Sequence, residues 1–269
     1  MSCRTALCTL LAASLPALAQ AQGLPLKTTT SIEIGAQLSQ YSYEEEVNNS
    51  FFMSLKGSKL GLVGSYTRAY GDGFYWSVDG RFAAGNNHYK SAGTGEASHN
   101  PDHYTDARFT AGRDFEAGSQ VLSLYAGLGT RYLKSDLRGY STTGAVGYRR
   151  SSHYLYLPLG VTHRFRLGDT ARWATTLEYD HLIEGTQKSY MTDVAGYTSD
   201  LENQQNKGHG LRLNLAYETA TWSVGLFYQA WNIDDSERGT FTSTTTVYTG
   251  YEPRNTTREV GMQVRYRYH

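Results

Sequence analysis

The chain carries long stretches in which apolar and polar residues alternate one by one. In "HYLYLPLGVTHRFRLGD", His153–Asp169, the residues Leu155, Leu157, Leu159, Val161 and Phe165 fall on one parity. Tyr154, Tyr156, Pro158, Gly160, Thr162, Arg164 and Arg166 fall on the other. Successive side chains of a strand point to opposite faces, so this is a long strand with an oily face and a polar one. An oily face needs something to lie against. The proline in the middle needs an explanation too.

Ten such segments run along the chain, at about 28–43, 52–69, 74–85, 104–115, 121–134, 153–169, 173–183, 209–219, 221–232 and 257–268. In the second, Met53 and Leu55 open the oily parity, which shifts phase near Gly57 to Leu60, Leu62 and Tyr66. Connections alternate in length. "YGDGF", "EAGSQ", "LGDTAR" and "ETAT" are tight, whereas about 44–51, 86–103, 135–152, 184–208 and 234–256 are longer and polar. Short turns at one end, long loops at the other and an even strand number are the plan of a transmembrane antiparallel up-and-down β-barrel. Aromatic residues agree. Tyr66, Phe74, Trp76, Phe115, Phe165, Trp173, Tyr217, Trp222 and Tyr268 stand on the oily parity beside the short turns, where amphipathic rings meet lipid headgroups. The expected fold is therefore all-β with ten strands, eight or twelve being the alternatives. A secreted or periplasmic β-sandwich or lipocalin-like barrel is the runner-up.

The first residues fit export. "MSCRTALCTLLAASLPALAQAQG" has an early Arg, an apolar run from Ala6 to Leu15 and small residues at Ala17, Ala19 and Ala21. This is the anatomy of a signal peptide over 1–21, cleaved after Ala19 or Ala21, with the barrel occupying 22–269. Cys8 follows "TAL" and sits too early for a lipoprotein cysteine. Cleavage removes Cys3 and Cys8, the only cysteines, which excludes disulfide scaffolds, zinc–cysteine sites and cysteine nucleophiles. A formal net charge of zero gives no electrostatic case for nucleic acid.

The last residues, "EVGMQVRYRYH", resemble the C-terminal assembly signal of bacterial outer-membrane β-barrels. Glu259, Gly261, Val264, Tyr266 and Tyr268 fill its pattern, and His269 departs from the usual terminal aromatic. The resemblance is to small porin-like and opacity-type barrels as a superfamily. It implies a place at the Gram-negative cell surface, in the outer membrane, among outer-membrane lipids and lipopolysaccharide. It also implies folding by the barrel assembly machinery, and it implies no activity.

If one parity faces lipid, the other lines the lumen: Glu33, Asp79, Arg81, Asp106, Arg108, Arg131, Arg164, Arg166, Glu178, Asp180, Arg212, Glu218, Glu259, Arg265 and Arg267. Seven acids and eight bases interleave. A barrel of about ten strands has little interior beyond what side chains fill. Charges there must be paired, so a salt-bridge plug is expected rather than a pore, whose rings usually carry mainly one sign.

Catalytic constellations are sparse. The omptin surface proteases also have ten strands, with paired aspartates at i, i+2 and an Asp-x-His. This chain has neither pattern, and its nearest pairs, Asp180 with His181 and Asp102 with His103, are adjacent and so point to opposite faces. A lipid A deacylase needs Ser, His and an acid together, and His163 has no Ser nearby on its face. His88, His99 and His103 share a loop with Asp102 but match no metal spacing. "GTGEAS" lacks the lysine of a phosphate loop, and "EEEVNN" and "LENQQNKG" read as solvated loop tips. No catalytic, cofactor-binding or metal residue is assigned, and no cofactor is expected. The expected function is that of a small non-enzymatic barrel, structural or engaged in adhesion or recognition of an extracellular ligand or host surface through its loops. A narrow substrate-specific pore and a surface enzyme are the alternatives. Pro158 is expected at a bulge or a missing ladder bond, pointing into the lumen.

Overall fold

A computed structural model describes residues 24–269; the expected signal peptide over 1–21 lies outside the described residues. The strands are β1 (Ser31–Val47), β2 (Ser50–Ala69), β3 (Phe74–Ser91), β4 (Gly95–Ala117), β5 (Gln120–Tyr140), β6 (Val146–Leu167) and β7 (Ala171–Ser189). They continue with β8 (Leu201–Gln204), β9 (Gly208–Thr219), β10 (Trp222–Ile233), β11 (Gly239–Thr242), β12 (Val247–Gly250) and β13 (Arg254–Tyr268). Each of β1 to β7 pairs antiparallel with the next, β7 pairs with β9, β9 with β10, β10 with β13, and β13 returns to β1. Ten strands thus close with no free edge. Closure lets a sheet stand in lipid, because every backbone donor finds a partner within the ladder.

The parity pattern sorts as its chemistry requires. Ile32, Ile34, Leu60, Leu62, Val78, Phe109, Leu124, Leu159, Leu177, Leu226, Val260 and Met262 face outward and are exposed, while Asp106, Arg131, Glu178, Asp180 and Glu259 lie buried inside. The inner girdle is built of packed rings, among them Tyr66 against Trp76 at 5.3 Å and Trp222 against Tyr266 at 4.7 Å. A second row borders the belt on the loop side, where His103 sits between Phe82 and Tyr132, and Tyr179 stacks on His209.

The strands run further than the oily parity indicates. Those of the barrel are 12 to 23 residues long, whereas a tilted strand crosses the hydrocarbon in about ten. The excess stands outside the membrane at the loop end. Three of the expected long loops are therefore largely strand. The stretch 44–51 is a hairpin whose turn residues Asn48 and Asn49 have φ of 51° and 59°, the left-handed pair that tight hairpins use. Segment 86–103 belongs to β3 and β4, and 135–152 to β5 and β6. In 184–208, β8 pairs with β7 beyond the point where β9 ends. Within 234–256, "GTFTSTTTVYTGY" folds as a separate two-stranded hairpin of β11 and β12.

The phase shift expected near Gly57 is absent. Met53, Leu55, Lys59 and Val63 all point inward on one parity. Met53 and Leu55 are apolar because the upper lumen is filled with apolar side chains, so parity alone mistook them for lipid-facing. Pro158 is buried in the lumen. On its β5 side the pairing passes from Ala126↔Leu159 to Gly129↔Tyr156, with no partner for Leu157 or Pro158. On its β7 side a bulge falls between Leu155 and Tyr156. The missing proline donor is accommodated by that lapse.

Candidate functional site

The lumen is filled in layers. At the periplasmic end residues 24–30 lie across the mouth, with Leu24 and Leu26 buried. The Leu24 N–H donates to the Asp169 carbonyl at 3.1 Å, and Arg166 donates to the Leu24 carbonyl at 3.0 Å. The Thr28 N–H and hydroxyl both donate to Asp114, at 2.6 and 3.1 Å. Above this segment lies a polar cavity of about 220 Å³. At its margin Glu33 pairs with Arg267 at 2.6 Å, and Glu218 pairs with Arg172 at 2.6 Å.

The middle layer is an ion-pair lattice. Arg212 reaches Asp106 at 2.9 Å, Asp180 at 2.7 Å and Glu178 at 3.2 Å. Arg108 bridges Glu178 and Asp79, and Arg131 lies 3.5 Å from Asp106 with its guanidinium over the Tyr104 ring. Two tyrosines complete it: Tyr156 donates to Asp106 at 2.8 Å and Tyr125 to Glu178 at 2.6 Å. Such charges are tolerated in a low-dielectric interior because each meets an opposite partner. Of the residues expected on the polar face, these do meet across the barrel. The sequence reading missed Lys59, which is fully buried and paired with Asp102, and Arg172 and Asp114 at the periplasmic end. Asp102 sits on the parity of Asp106, so a longer β4 would have disclosed it.

Above the lattice the filling turns apolar. Tyr154, Tyr156, Leu182, Trp231 and Ile233 form one buried cluster, and Tyr41, Tyr43, Met53 and Leu55 another. Trp231 is only 1% exposed and meets Tyr156 edge-on at 5.1 Å, so the two rings pack inside the barrel at this level.

Beyond this plug, on the loop side and clear of the membrane belt, the mouth opens into a vestibule of about 580 Å³. Its walls include Phe52, Met53, Tyr89, Leu137, Tyr148 and Tyr251. Its floor is Arg150 held between two acids: Glu45 at 2.6 Å, and Glu252. Tyr43 donates to Glu45 at 2.8 Å and lies 2.9 Å from Glu252. Burial pushes the Glu45 carboxyl up to about 8, against the pull of Arg150, and the Glu252 charge adds to the rise. Both supposed loop tips are thus corrected: Glu45 of "EEEVNN" is buried, as are Leu201, Asn203 and Gln205 of "LENQQNKG". They were missed because above the membrane the outer face is no longer apolar and parity loses its signal. Glu45 nevertheless keeps the parity of Glu33, and Arg150 that of Arg164.

The side chains weighed for catalysis are scattered. Asp180 is buried on Arg212 while its neighbour His181 is exposed on the opposite face. Asp102 is inside with Lys59, and His103 outside with Phe82. His163 is on the outer wall, 2.7 Å from Gln120. His88 is 2.9 Å from Ser98 and 3.5 Å from Glu96, a Ser, His and acid in sequence. There the acid is already held by Lys90 at 3.0 Å and all three groups are in water, so neither the base nor an oxyanion is supported. Among the described residues no three His, Cys, Asp or Glu side chains gather as a metal set.

A closed ladder, an apolar exterior, two aromatic borders and a charged filling occur together only where lipid surrounds the wall. The fold is an outer-membrane β-barrel. The barrel's even strand count, tight turns at one end and long extensions at the other place it in the bacterial outer membrane. No family model matches the chain, and no curated protein matches it. Among solved structures, the outer-membrane protease OmpT from Escherichia coli superposes with a TM-score of 0.58 at 12% identity, over 93% of this chain and 100% of that one. Neisserial surface protein A gives 0.36 at 13% identity over 87% and 96%, and OprG from Pseudomonas aeruginosa gives 0.37 at 9% over 90% and 98%. At these identities the likeness to OmpT is one of fold, and fold does not carry chemistry with it.

Proposed function

We propose that this barrel is a closed, non-enzymatic surface receptor that takes up a small ligand in its extracellular vestibule. The observation that carries the reading is the contrast along the axis: a vestibule of about 580 Å³ with apolar walls above a lumen blocked by Trp231, Tyr156 and the Arg212 lattice. Concave, mostly apolar pockets with a few convergent polar groups are where small molecules bind. Among the described residues the lining has no His, Cys or Lys, and its two deep acids are bonded to Arg150 and Tyr43, an arrangement for holding rather than reacting. The barrel wall meets outer-membrane lipid and lipopolysaccharide, and folding proceeds through the barrel assembly machinery.

The test is a small-molecule screen by thermal unfolding of the purified protein in detergent. The expected result is a set of compounds that raise the Tm of the wild-type protein and leave that of Ala145→Trp, which fills the vestibule, unchanged. Stabilisers that act equally on both proteins would contradict the reading.

A further inference from the structure

The vestibule has a chemical direction. Its deep end holds two carboxylates, Glu45 and Glu252, against one guanidinium, Arg150. Glu45 is 2% exposed and Glu252 5%. Beside them Gln187, 1% exposed, gives its amide N–H to Glu252 at 3.2 Å and leaves its Oε1 without a partner. With Arg150 the one cation bonded to both acids, the deep end is short of positive charge. Arg150 meets both acids through Nη2, while its Nε has no partner and its Nη1 meets only the Met53 sulfur at 4.0 Å. The other charged lining residue, Arg238, is exposed, with its guanidinium 5.4 Å from the Tyr251 ring. The walls between mouth and floor are aromatic and aliphatic: Phe52, Tyr89, Leu137, Val146, Tyr148 and Tyr251. Aromatic faces attract cations as well as apolar bodies.

We propose that the vestibule binds a small organic cation, its ammonium or amidinium group seated on Glu45 and Glu252 and its apolar body against the Phe52, Tyr89 and Tyr148 walls. The bound cation makes the count even, two positive groups facing two carboxylates. The raised affinity of Glu45 for its proton reports the same deficit: without a ligand, the proton takes the place of the missing cation. A neutral or anionic analogue of the same shape satisfies the walls and leaves the floor unchanged or worse.

This inference rests on the vestibule being a ligand site, and the experiment separates the two. Three probes of one shape, 2-(naphthyl)ethylammonium, 2-(naphthyl)ethanol and 3-(naphthyl)propionate, are titrated calorimetrically into the detergent-solubilised full chain. The ammonium is expected to bind at least about tenfold more tightly than the alcohol, and the carboxylate weakest. The double variant Glu45→Gln/Glu252→Gln is expected to bring the ammonium down to the affinity of the alcohol while the alcohol itself is unmoved; retained binding of the alcohol also shows that the variant is folded. Equal affinities, a preference for the carboxylate, or an ammonium affinity unchanged in the double variant overturns the cation assignment. If any probe binds and Ala145→Trp abolishes it, the vestibule stands as a site even then. Failure of all three probes overturns the cation assignment as well, and insensitivity of every bound probe to Ala145→Trp overturns the vestibule itself.

Discussion

Arg212 on β9 spans the lumen to Asp106 on β4, 2.9 Å from its carboxylate, and so ties opposite walls of the barrel together. Asp106 is also met by Arg131 and Tyr156, while Arg212 holds Asp180 and Glu178, so the contact is the hub of the lattice. Removing Arg212 leaves three buried carboxylates short of a partner. Arg212→Ala is expected to destabilise the barrel by about 3–5 kcal/mol, the cost of stranding buried charge. The measurement is urea unfolding in detergent, and a loss below about 1 kcal/mol would show that the lattice is dispensable.

Two tyrosines of the lattice depend on glycines in neighbouring strands. A Cβ at Gly160 would stand 2.1 Å from the Tyr125 ring, and one at Gly129 would stand 2.2 Å from the Tyr156 ring. Gly160→Ala is expected to push Tyr125 off Glu178 and cost about 1–3 kcal/mol. Repeating the substitution in a Tyr125→Ala background should cost much less; equal costs in both backgrounds would place the strain elsewhere.

Asp114 is one fastening of the segment over 24–30, through the two bonds from Thr28. Asp114→Ala removes charge-assisted bonds of about 1.5–3 kcal/mol, so the Thr28 amide should exchange its hydrogen roughly 10- to 100-fold faster. Unchanged exchange at Thr28 would mean that Leu24 and Leu26 hold the segment by themselves.

Glu45 gives the vestibule a pH dependence. Its carboxyl titrates at about 8 in the folded barrel against 4.5 when free, because burial disfavours its charge. The folded state therefore binds the extra proton. The associated stability is complete below pH 4.5, declines above it and is lost by the time pH has passed about 8. Unfolding midpoints should fall between about pH 4.5 and about pH 8, and Glu45→Gln should flatten that fall. An identical slope in the variant would assign it to other groups.

Within the membrane the fold was legible because lipid imposes a rule on every second residue, from Ile32 and Ile34 to Val260 and Met262. The polar partners of that rule, such as Asp106, Glu178 and Arg212, were legible for the same reason, though which acid meets which base depends on the barrel's register. Pro158 was legible as a defect because a closed ladder has no edge on which to hide it. Above the belt the outer face meets water while the inner face packs against apolar clusters, so the rule lapses. There Met53 reads as lipid-facing and Glu45 as a loop tip, although both lie inside. Glu252 lies outside any strand, so no periodicity could have brought it to Arg150.

The closed lumen is tested most directly by planar-bilayer recording of the purified protein. The expected record shows no steady conductance, because Trp231, Tyr156 and the Arg212 lattice fill the lumen between the vestibule and the segment over 24–30. Reproducible, long-lived channels of porin size in the wild-type protein would contradict it.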